Sequence, residues 1–312
     1  MNSFDMNTRR DYYRNSFCDC WARRPRLWQN EDVCDCGEDK GMIGGIKHTE
    51  WLWEPPPLKN RRNVILSEDR MQVSFHPSPV PGGSCIIKGD TPFEHGYHYY
   101  WEVKLLSETA MSNIMIGVGT KQVMMEDSRE LVSRLGSSPE SYGLNYLGEA
   151  HHRDCKNIKT NFNGFCRGCI VGVRVDMWAG TVEYYINRIP QGILFRGLLR
   201  HKEIYPMIFA NGLNIGIRLI YASSFKASLF LESAKILAVS LSEEVMENLF
   251  PPNLRSRLFL SFWMLLPSDI DDIDGAWYTY LNLSQYTDTD RYQYLPMSST
   301  LNRRLPKCKF FK

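Results

Sequence analysis

Residues 168–187, GCIVGVRVDMWAGTVEYYIN, limit the possible fold more than any other stretch of the chain. Val171, Val173 and Val175 alternate with Gly172, Arg174 and Asp176, the period of a strand with one core face and one wet face. Met177, Trp178, Ala179 and Gly180 interrupt the alternation, and Gly180 is free to take a positive φ. Residues 181–187 resume with β-branched and aromatic types, so the stretch is expected to form a β-hairpin.

Other short runs have the same character. Residues 64–66, 71–75, 85–89, 97–105, 113–120, 141–146, 204–209 and 214–220 are strand candidates separated by Gly- and Pro-containing turns. HPSPVPGG at 76–83 cannot enter a central strand. No helical pattern of 10–15 residues lies between the strands, which argues against a parallel α/β enzyme and for a sandwich of two antiparallel sheets. Trp51 and Trp53, followed by Pro55, Pro56 and Pro57, read as an aromatic anchor and spacer leading into this domain.

The totals exclude several classes. Lys+Arg 37 against Asp+Glu 35 leaves +2, so no global field points to nucleic acid or membrane. The longest apolar run, 258–266, is too short to span a bilayer, and the N-terminal sequence has no apolar signal core. Nine cysteines cannot all pair, and with no secretory signal expected, a reducing cytoplasmic or nuclear setting follows.

Two C-x-C pairs, Cys18 with Cys20 and Cys34 with Cys36, offer four thiolates for one tetrahedral zinc. Their single intervening residue is tighter than the two to four with which zinc loops usually wrap the ion. Residues 1–50 are therefore read as a disordered Cys-containing region, and no metal is assigned. A second cluster, His151, His152, Arg153, Asp154 and Cys155 with Cys166 and Cys169, contains the residue types for a zinc or thiol site. No G-x-S-x-G, H-E-x-x-H, P-loop or dinucleotide fingerprint accompanies it, so no catalytic residue and no cofactor are expected.

After Tyr221 the period becomes helical. Phe225, Leu229, Ser233, Ile236 and Ser240 make one stripe. Ser240 with Glu243 has the spacing of a capping box for a second helix, and Pro251-Pro252 punctuates before a third carrying Leu254, Leu258 and Phe262. Three short helices bury little alone and need a partner, or the sandwich itself, to pack on. Residues 267–312 are polar-aromatic and expected to be disordered.

Several motifs carry a resemblance. The V-G-V and G-T-x-x-x-Y-x-N halves of the hairpin are similar to those of SPRY (B30.2-like) domains, as are YWEV at 100–103, IGVGT at 116–120, SYGL at 141–144 and YPM at 205–207. The helical stretch resembles a SOCS box: Ser228-Leu229 keeps the Ser-Leu helix start, with Ser233 where the pattern has Cys, and Asn248-Leu249-Phe250-Pro251 keeps a hydrophobe and the last Pro of the cullin-facing turn. The order of these parts, with CDC and CDCGED ahead of W-x-W-E, resembles the SPRY domain-containing SOCS box proteins.

The resemblance implies a fold and a function. The fold is an all-β SPRY sandwich over 51–222 followed by a small three-helix SOCS-box-like module over 225–266. The function is that of a non-enzymatic substrate receptor of a cullin-RING ubiquitin ligase. Its partners are a substrate held through a short linear peptide, and Elongin B/C with cullin 5, with neither nucleic acid nor membrane. Position by position, it implies a peptide surface of Pro77, Pro79, Val80, Ser112, Leu131, Asn211, Gly212 and Leu213. It implies Elongin contacts at Leu229, Ser233 and Leu237, and cullin contacts at Phe250, Pro251, Pro252 and Leu254. Pro77 stands where several members have Arg, which implies a less acidic peptide. Two other readings stay open: a scaffold whose box recruits no ligase, and a zinc or thiol enzyme around His152, Cys155, Cys166 and Cys169.

Overall fold

A computed structural model describes residues 16–18, 20, 33–38, 42–43, 46–47, 49–57, 61–76, 84–109, 113–125, 135–153, 155–159, 164–230, 232–233, 236, 248, 251 and 262–266. All of these fall in one compact unit, 1–270, and the second unit, Asp271–Lys312, holds none of them.

Numbered in chain order, β1 (Met42–Ile43) and β2 (Ile46–Lys47) pair as a small ribbon. Seven strands build one antiparallel sheet: β3 (Val64–Leu66), β4 (Gln72–Phe75), β6 (Tyr97–Leu105), β11 (Ile170–Asp176), β12 (Thr181–Ile186), β13 (Ile189–Arg196) and β15 (Ile215–Lys226). Their order across it is β13-β12-β11-β6-β15-β4-β3. Six strands build the other: β5 (Cys85–Lys88), β7 (Asn113–Gly119), β8 (Ser141–Asn145), β9 (Glu149–His152), β10 (Cys155–Lys159) and β14 (Tyr205–Asn211), ordered β10-β9-β8-β7-β14-β5. The expected two-sheet sandwich is what forms.

The hairpin is β11 with β12, in register from Val171 opposite Ile186 to Asp176 opposite Thr181. Its turn is held by Asp176, whose Oδ1 accepts from the Trp178 and Ala179 amides at 2.7 and 2.8 Å, and Gly180 takes φ 71°. Val171, Val173 and Val175 enter the inter-sheet core, where Trp51, Trp53 and Trp101 meet edge to face at 5.0–6.0 Å. Tyr184 reaches across from β12 and donates to the Ile116 carbonyl of β7, tying the two sheets.

Two expectations need correction. The face of β11 read as wet is buried: Arg174 is 6% exposed, and on the neighbouring strand Glu102 and Lys104 are fully covered. Alternation reports that the two faces differ in chemistry, and here the polar face is covered by other parts of the chain. Gly172 leaves room for Tyr100, whose hydroxyl would lie 2.4 Å from an added Cβ. Trp263 stacks on Tyr100 with ring centroids 5.5 Å apart and planes at 7°, and Arg174 Nη1 donates to the Leu266 carbonyl. The second correction concerns Phe225, which does not open a helix: β15 continues to Lys226, and Phe225 pairs with His98. Sequence inspection also passed over β9, β10 and β13, which lack sustained apolar alternation.

Candidate functional site

At one end of the sandwich, the β14–β15 turn presents Asn211, Gly212 and Leu213. Leu213 is half exposed, and Asn214 takes φ 53° while its amide donates to the His76 carbonyl at 3.1 Å. His76, the residue before Pro77, therefore lies beside this turn. Asn211 also pairs with Asn113, the residue after Ser112. The described residues that flank two of the sequence-predicted peptide stretches, His76 before Pro77 and Asn113 after Ser112, thus lie at one edge with Asn211 to Leu213. Pro77, Pro79, Val80, Ser112 and Leu131 themselves lie outside the described residues. Beneath the edge His76 is 2% exposed, and burial pushes its imidazole below the usual histidine range.

The segment after β15 starts with the Ala227 amide bonded to the Gly96 carbonyl at 2.8 Å. Residues 229, 230, 232, 233 and 236 have helical backbone. Leu229 is 84% exposed, with Phe230 and Ile236 at 67% and 66%. The Ser233 hydroxyl donates to the Leu229 carbonyl at 2.8 Å, so its polar group is satisfied within its own turn. Glu232 is drawn to the sandwich, where its Oε1 lies 2.9 Å from His98 Nε2. Of the sequence-predicted cullin contacts, Pro251 is exposed; Phe250, Pro252 and Leu254, like Leu237, lie outside the described residues. Farther on, the 3₁₀ turn Phe262–Leu265 and Leu266 bring Trp263, Met264 and Leu266 into burial.

The residues of the enzyme reading do not assemble among the described residues. Cys166 and Cys169 are buried side by side, Sγ to Sγ 3.6 Å, and burial pushes the Cys169 thiol well up. His151 and His152 turn elsewhere: His151 Nε2 lies 3.1 Å from Asn145 Nδ2, and His152 engages the Ser141 carbonyl through Nδ1 at 2.8 Å and Arg200 through Nε2 at 2.8 Å. The Cys155 side chain is outside the described residues.

The two C-x-C pairs, by contrast, converge. Cys18 lies 3.1 Å from Cys34, Cys20 lies 3.4 Å from Cys36, and all four sulfurs fall within 4.8 Å of one another. A hydrogen bond from Cys18 is the main cause holding the Cys34 thiol down to about 4, whereas the same contact and burial raise Cys18. This segment rests on the outer face of the seven-stranded sheet. Lys104 Nζ donates to the Cys34 and Cys36 carbonyls, and Arg188 Nη2 donates to the Gly37 carbonyl at 2.7 Å. Lys104 and Arg188 were missed in the sequence because a charge in a strand or, as at Arg188, in the turn between β12 and β13 reads as solvated. The C-x-C pairing itself was the legible signal.

Residues 98–222 match the SPRY domain family. The chain is 30% identical over 222 residues to SPRY domain-containing SOCS box protein 3 of Xenopus tropicalis, covering 69% of this chain and 58% of that protein. It is 28% identical over 173 residues to Protein gustavus of Drosophila melanogaster, covering 53% of this chain and 59% of that protein. Against the crystal structure of the SPRY domain of human HERC1 the TM-score is 0.42 at 14% identity, over 50% of this chain and 91% of that one. The chain thus spans somewhat over half the length of the curated relatives it matches. Joined to the two-sheet sandwich and its hairpin, the SPRY match and the identity to SPRY domain-containing SOCS box protein 3 lead to one conclusion: the chain belongs, as a diverged member, to the family of SPRY domain-containing SOCS box proteins.

Proposed function

We propose that the protein is a non-catalytic substrate receptor of a cullin-RING ubiquitin ligase. In this reading the edge formed by Asn211, Gly212 and Leu213 with the loops carrying Pro77, Pro79, Val80, Ser112 and Leu131 holds a short peptide of the substrate. The segment from Leu229 onward, including Ser233 and Leu237, docks Elongin B/C, and Phe250, Pro251, Pro252 and Leu254 face cullin 5. The receptor works by proximity: tethering raises the effective concentration of substrate lysines near the charged ubiquitin carrier.

One observation carries the reading. Leu229, Phe230 and Ile236 stand at 66–84% exposure on a helical segment directly after the last strand, where an unpartnered monomer would bury them. Ser233 in place of the pattern's Cys fits as well, because its hydroxyl enters an interface already bonded to the Leu229 carbonyl.

Co-expression with Elongin B/C tests it. The expected result is a stoichiometric complex that Leu229→Asp abolishes while thermal stability stays within about 0.5 kcal/mol of the parent, since the side chain is solvated. A folded chain that captures no Elongin B/C would sink the ligase reading and leave a SPRY scaffold.

A further inference from the structure

We propose that Cys18, Cys20, Cys34 and Cys36 bind one zinc ion, which clamps the N-terminal segment onto the outer face of the seven-stranded sheet. The family likeness plays no part in this; it rests on the sulfur geometry and on the charges packed around it.

A tetrahedral zinc with Zn–S bonds of about 2.3 Å separates its sulfurs by about 3.8 Å. The four sulfurs all lie within 4.8 Å of one another, with cross-pair separations of 3.1 and 3.4 Å, so changes of at most about 1 Å in the sulfur separations make the tetrahedron. They pair one to one, 18 with 34 and 20 with 36, as two short segments laid side by side. The tight C-x-C spacing is therefore no obstacle, since each pair has only to supply one edge of the tetrahedron. So compact a set suits a single ion rather than a cluster of several metals.

Charge is the second, independent observation. Lys104 is fully buried, and its ammonium donates to two backbone carbonyls, those of Cys34 and Cys36. Carbonyl dipoles alone are a poor return for removing an ammonium from water. A zinc ion held by four thiolates leaves the site with a net charge of −2 beside that ammonium. Arg188, whose charge is balanced by Glu102, fixes the next carbonyl, of Gly37, and lies over Phe17 at 5.3 Å.

The backbone is shaped for the same closure. Gly37 takes φ 84°, and an added Cβ would sit 2.5 Å from Ile170 Cδ1 and 2.8 Å from Phe17 Cε1. The Phe17 amide donates to the Gly168 carbonyl at 3.1 Å, and the Ser16 hydroxyl to the Arg167 carbonyl at 2.9 Å. Both cysteine segments are thus docked on the start of β11 and on β6, and the ion would join them to each other.

The test uses the full chain, expressed with added zinc and purified under reducing conditions without chelator. Elemental analysis is expected to find about one zinc per chain, released as a thiol-blocking mercurial consumes the four sulfurs. Cys34→Ser/Cys36→Ser is expected to lose at least about nine-tenths of the zinc, whereas Cys166→Ser/Cys169→Ser, whose thiols lie elsewhere, keeps it. Because loss of a clamp can also unfold a variant, the unaltered chain is loaded with cobalt instead, and the strong visible bands of a tetrahedral S₄ site are expected. Zinc far below equimolar in the folded parent overturns the proposal, as does zinc retained by the Cys34/Cys36 variant. Peptide mapping of the reduced preparation that finds disulfides between 18 and 34 and between 20 and 36 would overturn it too.

Discussion

Neutralising Glu102 tests whether the outer face of the seven-stranded sheet is a second, charged core. Glu102 and Arg188 side chains are 0% and 3% exposed. The guanidinium grips the carboxylate with both arms, Nε to Oε1 at 3.0 Å and Nη2 to Oε2 at 2.9 Å, and the Tyr100 hydroxyl adds a bond of 2.7 Å to Oε1. Glu102→Gln keeps the shape and removes the charge, leaving a buried guanidinium without its counter-ion. Breaking such a pair from one side costs about 3–5 kcal/mol. At about 2–4 °C per kcal/mol for a domain of this size, the midpoint should fall by about 6–20 °C. Removing both charges, Glu102→Leu with Arg188→Met, should cost less than Glu102→Gln. What remains is the loss of the bonds that Glu102 and Arg188 made to the Tyr100 hydroxyl and the Gly37 carbonyl, about 1 kcal/mol each. Urea unfolding of the parent, the single variant and the double variant measures all three. A Glu102→Gln cost below about 1 kcal/mol, or a double variant worse than the single, would refute the claim that this face excludes water.

Two further outcomes follow from the same surfaces. Trp263→Ala removes the ring stacked on Tyr100 and should cost about 3 kcal/mol in urea unfolding while exposing a dye-binding apolar patch; a cost under about 1 kcal/mol would mean that the C-terminal turn does not cover the sheet. Burial, with Arg200 and Arg153 adding to it, lowers the His152 imidazole from 6.5 to about 4, and its Nε2 faces the Arg200 guanidinium, which requires the neutral ring. The unfolded chain therefore takes up this proton below about pH 6.5 and the folded chain only near pH 4, so stability falls as pH drops through that window. His152→Gln should make the melting temperature less acid-sensitive between those limits, although His76 and His201, lowered in the same direction, keep part of the slope. Identical slopes in parent and variant would count against it.

Much of the sandwich was legible because its signals are local. The valines of β11, the Gly180 turn and the β-branched start of β12 fix a hairpin from consecutive residues alone, and register then follows from the turn. The W-x-W anchor was legible for the same reason: two large indoles two residues apart, both buried, can only serve a core. The end-loop surface was legible only as a resemblance, and Asn211 with Leu213 is the part of it that the described residues place.

What the chain could not disclose depends on partners distant in sequence. Alternation marked Gly172, Arg174 and Asp176 as a polar face, but whether that face meets water depends on what lies over it. Trp263, from far down the chain, and Gly37, from far up it, decide this. The same holds for the cysteines. Residue types and spacing supply two pairs of thiols, and only the approach of 18 to 34 and of 20 to 36 makes them one cluster. Local chemistry determined the strands and their turns, because those depend on neighbours in the chain. Burial of the charged face and assembly of the thiols were decided in tertiary structure, because both are properties of what packs against a residue rather than of the residue itself.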